Sequence, residues 1–447
     1  MKGKKLKVAF VIYNEKQAVS FIDSSLMENL KVKFDLSLIT TNPKIVKTRK
    51  DNEFKLLSPI PSLVRKFEIF CQCVALWKFK ERTMTHKVRA MSQFGNRKQR
   101  AKWKGVIVYE MENWGELKRG IVRFAAISPF YFILRKLQLI SRLILFPYWS
   151  NFLQQFDLVI VPFGGHTSFE YPNLIWMTRR LKKVSFAIQE NWDNVSSKTF
   201  IFDEPDYFGV WGEQSKSHLI EIHELTNTKI RIIGSPRFDG YFKNNDESPI
   251  AISDRTGEKN LTKIPYILLA GTGDGIDDEL LIETIVKSCN RINENFKIVY
   301  RPHPFTRHQH DFKLLVEKFP TLILDEGIEA RKFGHQIPLV KHAEMIVSQA
   351  STLILEGLLC NKSVCVPTFI GIKANIGYDR LVDGYQHYIG FKLMNNFYAP
   401  KTEHDLEKTI LRCLNQKNNS SNLNLDWICQ NSKYETEITN VINEISK

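Results

Sequence analysis

The sequence is poor in cysteine, with seven in 447 residues. Only Cys71 and Cys73, in CQC, lie close together, and no second pair follows at zinc-ligand spacing. That argues against a structural metal and reads as reduced thiols in a cytosolic protein. Long apolar runs are also missing. Within Lys118–Trp149 the longest uncharged run, Phe124–Leu134, has 11 residues, where a membrane span needs about 20. The stretch FVIYNEKQAVSF, around the end of the first strand-like run, contains no glycine, so it carries no GxGxxG fingerprint. LLAGTGDG, at 268–275, is followed by no GK[ST], so it is not a Walker loop. No DNA- or RNA-binding motif accompanies the basic charge. The basic start, MKGKKLKVAFVIYN, has a short apolar run and no small-residue cleavage site, and reads as a lysine-rich tail before a buried strand.

What is present is an ordinary globular composition, 43% hydrophobic and 25% charged, at a length that suggests two or three domains. The net charge of +15 is uneven. Residues 1–150 hold 30 Lys and Arg against 11 Asp and Glu, whereas the remainder holds 33 against 37. A basic first part beside a near-neutral remainder points to an anionic partner for the first part, and without a nucleic-acid motif the expected partner is a membrane surface. KRGIVRFAAISPFYFILRKLQLISRLILFPYW, at 118–149, is apolar, aromatic and basic together. Ile133, Leu134, Leu137, Ile140 and Ile144 recur at helical spacing, with Arg135 and Arg142 on another face and Tyr148 and Trp149 at the end. This predicts a helix lying in the headgroup layer, the alternative being a core helix whose basic residues reach solvent.

Strand-like runs alternate with helical ones. The first half predicts strands at Val8–Tyr13, Leu36–Thr40, Gly105–Tyr109, Leu158–Pro162, Val184–Gln189, Gly209–Trp211 and Ile230–Ile233. The second predicts Tyr266–Ala270, Lys297–Tyr300, Leu322–Leu324, Met345–Val347 and Val364–Pro367, with helices over Asp277–Ile292 and Thr352–Leu359. Continuous apolar runs of this kind are parallel strands buried on both faces, and their alternation with helices gives a doubly wound sheet, here twice. The expected organisation is a Rossmann-like domain over 1–240, a polar linker over 241–263, a second Rossmann-like domain over 264–430 and a C-terminal helix over 431–447. Two such domains face each other across a cleft.

Open α/β sheets bind ligands at the carboxyl ends of their strands. Three second-domain features stand there: Gly271, Thr272 and Gly273; Arg301, His303 and Pro304 in YRPHP; and Ser348, Ser351 and Thr352 in VSQASTLILEGLLCNKSVCVP. Glycine lets the backbone approach a phosphate, and a helix start offers hydroxyls and free N–H groups. Glu356, one turn beyond Thr352, is placed to hold a ribose diol. The bland readings are a glycine turn, an ordinary N-cap and a surface carboxylate. In the first domain, AIQENWDNVSSK crowds Glu190, Asp193 and Lys198 at a strand end. Asp193, then Glu190, are candidate bases for a substrate hydroxyl, and Lys198 could meet a phosphate or a carboxylate. The alternative is a capping loop with Trp192 beneath it. His166, in FGGHTSFEYP, is a third candidate base.

RPHP at 301–304, SQASTLILEGLLCNKSVCVP and IGSPRFDGY at 233–241 resemble the GT-B glycosyltransferase superfamily. The nearest parts resemble CDP-glycerol glycerophosphotransferases, bacterial sialyl- and Kdo-transferases and UDP-N-acetylglucosamine 2-epimerases; WDN-x-[ST]-S-K resembles an element of bacterial surface-polysaccharide transferases. The resemblance covers most of residues 155–370. It implies that His303 and the Ser351–Thr352 pair hold the donor's phosphates, with no metal and no cofactor beyond the nucleotide-activated sugar itself. The expected function is transfer of a sugar to a cell-surface polysaccharide or lipid-linked acceptor, by an enzyme peripheral on the inner face of the cytoplasmic membrane, with no nucleic-acid partner. The alternatives are a CDP-polyol phosphotransferase, attacked at phosphorus instead of carbon, and a 2-epimerase.

Overall fold

The computed structural model describes residues 5–24, 26–49, 53–58, 61–95, 115–164, 170–198, 200–242, 261, 264–271, 278–292, 296–303, 312–325, 336–349, 351–369, 381–415, 425–430 and 434–446. The predicted strand at Gly105–Tyr109 and nearly all of the predicted linker lie outside them. The chain forms two compact units, one holding the described residues through Asp239 and again from Asp426, the other Gly240–Leu425.

The first unit is built on seven strands, β1 (Lys7–Val11), β2 (Asp35–Thr40), β3 (Phe54–Leu56), β4 (Leu158–Phe163), β5 (Val184–Gln189), β6 (Tyr207–Val210) and β7 (Lys229–Ile232). They lie in the order β3-β2-β1-β4-β5-β6-β7, and each neighbouring pair is parallel. The helices used below are α1 (Leu26–Lys33), α2 (Ser62–Lys78), α3 (Met84–Phe94), α4 (Glu116–Ala125), α5 (Ser128–Leu153), α6 (Glu170–Arg180) and α7 (Glu213–Glu221).

Alternation along β1 sends Ala9 and Val11 to one face and Val8 and Phe10 to the other, and β4 divides Val159 and Val161 from Leu158 and Ile160 in the same way. The first face is covered by Leu145, Trp149 and Leu153 of α5 and Leu174, Ile175 and Met177 of α6. The other takes Leu26, Met27 and Leu30 of α1. With nonpolar residues on both faces, the strands read as continuous apolar runs in sequence.

The second unit has six strands, β8 (Tyr266–Ala270), β9 (Lys297–Arg301), β10 (Leu322–Leu324), β11 (Met345–Ser348), β12 (Ser363–Cys365) and β13 (Phe397–Tyr398). Their order is β10-β9-β8-β11-β12-β13, again parallel throughout. Leu281 and Ile285 of α8 (Asp278–Arg291) and Leu406 and Ile410 of α10 (Glu403–Asn415) cover the face that carries Ile267 and Leu269. The short helix α9 (Leu353–Leu359) follows β11. The last helix, α11 (Tyr434–Ile445), returns to the first unit: Tyr434, Ile438, Val441 and Ile442 pack with Val8 and Phe10.

In each sheet the chain lays strands to one side of its first strand, then crosses to the other. The switch points fall between β1 and β4 and between β8 and β11. These are the places where the loops diverge and leave room for a ligand at the carboxyl ends of the strands.

The 118–149 stretch forms α4 and α5, and the residues that recur at helical spacing, Ile133 to Ile144, all lie on α5. Two residues are corrected. Arg142 does not face outward but is fully buried, donating to Asp203 at 2.7 Å and pairing with Glu68 at 3.4 Å. Trp149 is fully buried as well, its indole N–H donating to the Ser58 carbonyl at 2.9 Å. Both belong to the inner face of α5, where they complete the unit's interior.

Candidate functional site

At the switch point of the first sheet, residues from four strand ends converge. Tyr13 follows β1, Thr41 follows β2, Gly164 and Glu170 follow β4, and Glu190 follows β5. Glu190 is ion-paired with Lys16 at 3.2 Å and accepts a hydrogen bond from the Gln17 amide at 2.9 Å. Gln17 is itself fixed, since its carbonyl oxygen accepts from the Tyr13 backbone N–H at 2.8 Å. Glu190 also requires Gly164: a Cβ on that glycine would stand 1.8 Å from Glu190 Oε2. The glycine after β4 is therefore the floor on which the carboxylate lies.

Glu170 opens α6 and is buried, accepting from the Thr41 hydroxyl at 3.2 Å. Burial pushes its carboxyl up to about 7, against smaller opposing effects from its own backbone N–H, the Arg65 cation and the Thr41 hydrogen bond. Beside it the Tyr13 phenol is fully enclosed, with no hydrogen-bond partner among the described residues. Burial, reinforced by the charges of Glu170, Tyr171 and Glu190, raises the Tyr13 phenol well above its ordinary value, so it stays a donor. A carboxyl that titrates near neutrality can take or give a proton at working pH, and its neighbours supply a fixed carboxylate and a phenolic donor.

The structure ranks the first-unit candidates differently from the sequence. Asp193 accepts from Ser197 Oγ at 3.0 Å and from the Asn191 amide at 3.1 Å, and pairs with Lys198 at 2.9 Å. Trp192 is buried below. The loop is held further by Asn194, whose amide donates to the Phe163 carbonyl at 3.1 Å, and by Arg89, which donates to the Ser197 carbonyl at 2.7 Å. Asp193 and Lys198 thus pair with each other inside the loop, and Asp193 precedes the short helix over Asn194–Ser197 without a side-chain cap hydrogen bond to it. Glu190 keeps its place at the strand tip. His166 lies outside the described residues. Glu170, Tyr13, Thr41 and Gln17 are not singled out by sequence reasoning. The one available signal was an acidic residue two before Pro172 at a helix start.

In the second unit, Gly271 follows β8 and His303 lies two residues beyond β9. The Gly271 N–H donates to the Arg301 carbonyl at 2.9 Å. A Cβ on Gly271 would meet Asp278 Oδ2 at 2.6 Å and the His303 backbone nitrogen at 3.0 Å, so only glycine permits this approach of β8 to β9. Asp278, at the start of α8, accepts from the Tyr300 hydroxyl at 2.7 Å. Ser348 ends β11, next to β8, with a buried hydroxyl that has no hydrogen-bond partner among the described residues. Ser351 Oγ accepts from the Leu353 N–H at 3.0 Å, and the Thr352 carbonyl accepts from Leu355 at 3.0 Å, so this pair forms the start of α9. Gly271, His303, Ser348, Ser351 and Thr352 therefore gather at three adjacent strand tips. Thr272, Gly273 and Pro304 lie outside the described residues.

Two expected ligand contacts have other roles. The sequence reading puts Arg301 at a phosphate, but its guanidinium is buried and donates to Asp325, itself fully buried, at 2.6 Å. The reading gives Glu356 a diol, but it is fully buried and accepts from the Tyr241 hydroxyl at 2.6 Å. Each is a buried carboxylate answered by a donor, as buried charge demands.

No protein-family model matches the sequence, and no curated protein matches it. Solved structures match along the whole chain. A UDP-GlcNAc 2-epimerase from Methanocaldococcus jannaschii is 11% identical with a TM-score of 0.53, covering 98% of this chain and 100% of its own. A 2-epimerase described as putative, from Listeria monocytogenes, is 12% identical with a TM-score of 0.52, covering 99% and 97%. The glycotransferase of kitacinnamycin is 10% identical with a TM-score of 0.51, covering 99% of each chain. At these identities the likeness is one of fold, and the fold is GT-B: two parallel α/β units, as the sequence predicts.

Proposed function

We propose that this chain is a nucleotide-sugar enzyme, and specifically a glycosyltransferase that moves a sugar from a nucleotide-activated donor to a hydroxyl of a polysaccharide or lipid-linked acceptor. The observation that carries it is the gathering of Gly271, His303, Ser348, Ser351 and Thr352 at the neighbouring tips of β8, β9 and β11. Close backbone approach, an imidazole and a hydroxyl cluster are what a diphosphate leaving group needs as charge builds on it. The names of the matching structures, epimerases and a glycotransferase alike, support a nucleotide-sugar substrate.

Proton transfer belongs to the first unit in this reading. Glu170 takes the acceptor hydroxyl's proton, the oxygen forms the new bond to the anomeric carbon, and the nucleoside diphosphate leaves with the bonding electron pair. Glu190 and Tyr13 orient the acceptor. A thermal-shift series with UDP, GDP, CDP and CMP tests the donor assignment. One nucleoside diphosphate should raise the melting temperature, and His303→Ala should abolish that rise while melting normally without ligand. No response to any nucleotide would refute the assignment, and a response to CMP with none to the diphosphates would count against a diphosphate leaving group and favour the polyol-phosphate reading, whose leaving group is CMP.

The second reading is a 2-epimerase, favoured by the full-length match to enzymes of that name. Incubating the protein with UDP-GlcNAc and no acceptor separates the two. Formation of the epimer decides for the isomerase, and its absence, with sugar transferred once an acceptor is supplied, decides for the transferase.

A further inference from the structure

The helices α4 and α5 are apolar on the outside as well as the inside, where Leu134, Leu145, Trp149 and Leu153 are buried. On α5 the inward positions also carry Gln138, Ser141 and Arg142, all buried. Gln138 donates to Glu68 of α2 at 2.6 Å, and Arg142 bridges Glu68 and Asp203. The outward positions carry Phe130, Phe132, Ile133, Leu137, Leu139, Ile140, Leu143, Ile144 and Tyr148, all exposed, Phe132 by 64% and Ile144 by 59%. Leu117, Ile121, Phe124 and Ile127 extend the same character onto α4 and the turn after it, with Leu117 at 79%. These thirteen side chains expose on the order of 1,000 Å², whereas the largest apolar patch of a typical monomer is about 300–600 Å². A surface this size points to a partner.

Charge selects the partner. Beyond Glu116, the first residue of α4, the chain carries no Asp or Glu through residue 156. Lys118 and Lys136 are exposed among the apolar positions. Lys78 of α2 reaches the turn between the two helices, donating to Ser128 Oγ at 3.1 Å and lying 5.1 Å from the centre of the Tyr131 ring. Arg135 is stacked on Phe202 at 4.6 Å. An apolar, aromatic face with cations and no anions is what an anionic headgroup layer accepts. Among the described residues no helix is long and apolar enough to cross a membrane. The helix α5, with 26 residues, is about 39 Å long at about 1.5 Å per residue. Its exposed apolar positions run from Phe130 to Tyr148, along most of that length, as a helix lying flat on a bilayer requires.

We propose that the outward face of α4 and α5 docks onto the surface of an anionic lipid bilayer, with Ile133, Leu137, Ile140 and Ile144 entering the acyl boundary and Lys118 and Lys136 meeting the headgroup phosphates. This inference stands on exposure and charge alone and does not rest on the enzyme assignment.

The test is co-sedimentation of the full chain with phosphatidylcholine vesicles and with vesicles of equal parts phosphatidylcholine and phosphatidylglycerol, without any nucleotide. The expected result is binding to the anionic vesicles, reduced about tenfold or more in the Ile140→Glu/Ile144→Glu variant. These positions face out, so the variant should melt as the parent does. Lys118→Ser/Lys136→Ser should lose the preference for anionic vesicles while retaining the weaker apolar binding. Absence of vesicle binding by the parent chain overturns the proposal, as does equal binding by the glutamate variant. If light scattering shows a dimer that the glutamate variant dissolves, and neither protein binds vesicles, the face is instead an interface between copies.

Discussion

Replacing Glu170 by glutamine should make the protein more stable at pH 8 and leave stability near pH 4 almost unchanged. In the unfolded chain this carboxyl has its ordinary value near 4.5, and burial in the fold pushes it up to about 7. Below 4.5 both states are protonated. Between 4.5 and 7 the unfolded chain releases a proton that the fold retains, so stability falls as pH rises. Above 7 the loss is complete. At about 1.36 kcal/mol per pH unit it amounts to about 3 kcal/mol, which solvent relaxation around the site would reduce to about 2. Glutamine cannot ionise and escapes it, while its carbonyl can still accept from Thr41. The assay is the melting temperature of parent and variant from pH 4 to pH 8. At about 2–4 °C per kcal/mol, the variant should gain on the order of 5 °C relative to the parent across that range. His86, His218 and His223, all lowered by burial, titrate in both proteins and cancel in the difference. The same substitution should cut turnover by a factor of about 100 or more, the usual scale of a lost general base. A constant difference in melting temperature across the range would show that Glu170 ionises normally, and the proton-transfer assignment would go with it.

Three further outcomes follow from the geometry. Gly164→Ala should displace Glu190 from Lys16 and Gln17, lowering turnover as far as Glu190→Gln does; unchanged turnover would remove Glu190 from the site. Asp193→Asn should keep most of the turnover while costing about 1 kcal/mol in urea unfolding, because Asp193 holds Asn191, Ser197 and Lys198 of its own loop; loss of turnover with stability intact would restore it as the base. Arg142→Met should cost about 3–5 kcal/mol by leaving Glu68 and Asp203 without their buried counter-charge, and Glu68→Gln added to it should recover part of that loss; an unchanged urea midpoint would show that the pair contributes nothing.

The fold was legible because its strands are buried on both faces. Val184–Gln189, Tyr266–Ala270 and Leu322–Leu324 match their predicted bounds, and the helix expected over Asp277–Ile292 spans Asp278–Arg291. Two strands escaped. Phe54–Leu56 has three residues and is half exposed, and Phe397–Tyr398 has two, so neither leaves a periodic signal. The second-unit strand tips were legible as well, since glycine and proline punctuate where strands end. Partnerships over long separations were not. Nothing near Arg142 in sequence announces Glu68 or Asp203, which lie 74 and 61 residues away. Glu356 sits on the face of its helix that its spacing from Thr352 gives, yet its partner Tyr241 is 115 residues distant. For Glu170 the decisive property is loss of water, which depends on the neighbours the fold assembles and not on local pattern.

The return of the final helix to the first sheet has a consequence for biosynthesis. One face of that sheet is sealed by Tyr434, Ile438, Val441 and Ile442, which are translated roughly 200 residues after β7. At about 5–20 residues per second, that leaves the part of this face not already covered by Leu26, Met27 and Leu30 of α1 waiting for about 10–40 s while the whole second unit is being made. A stop codon near residue 425 would leave that part of the first unit's apolar face permanently without its cover.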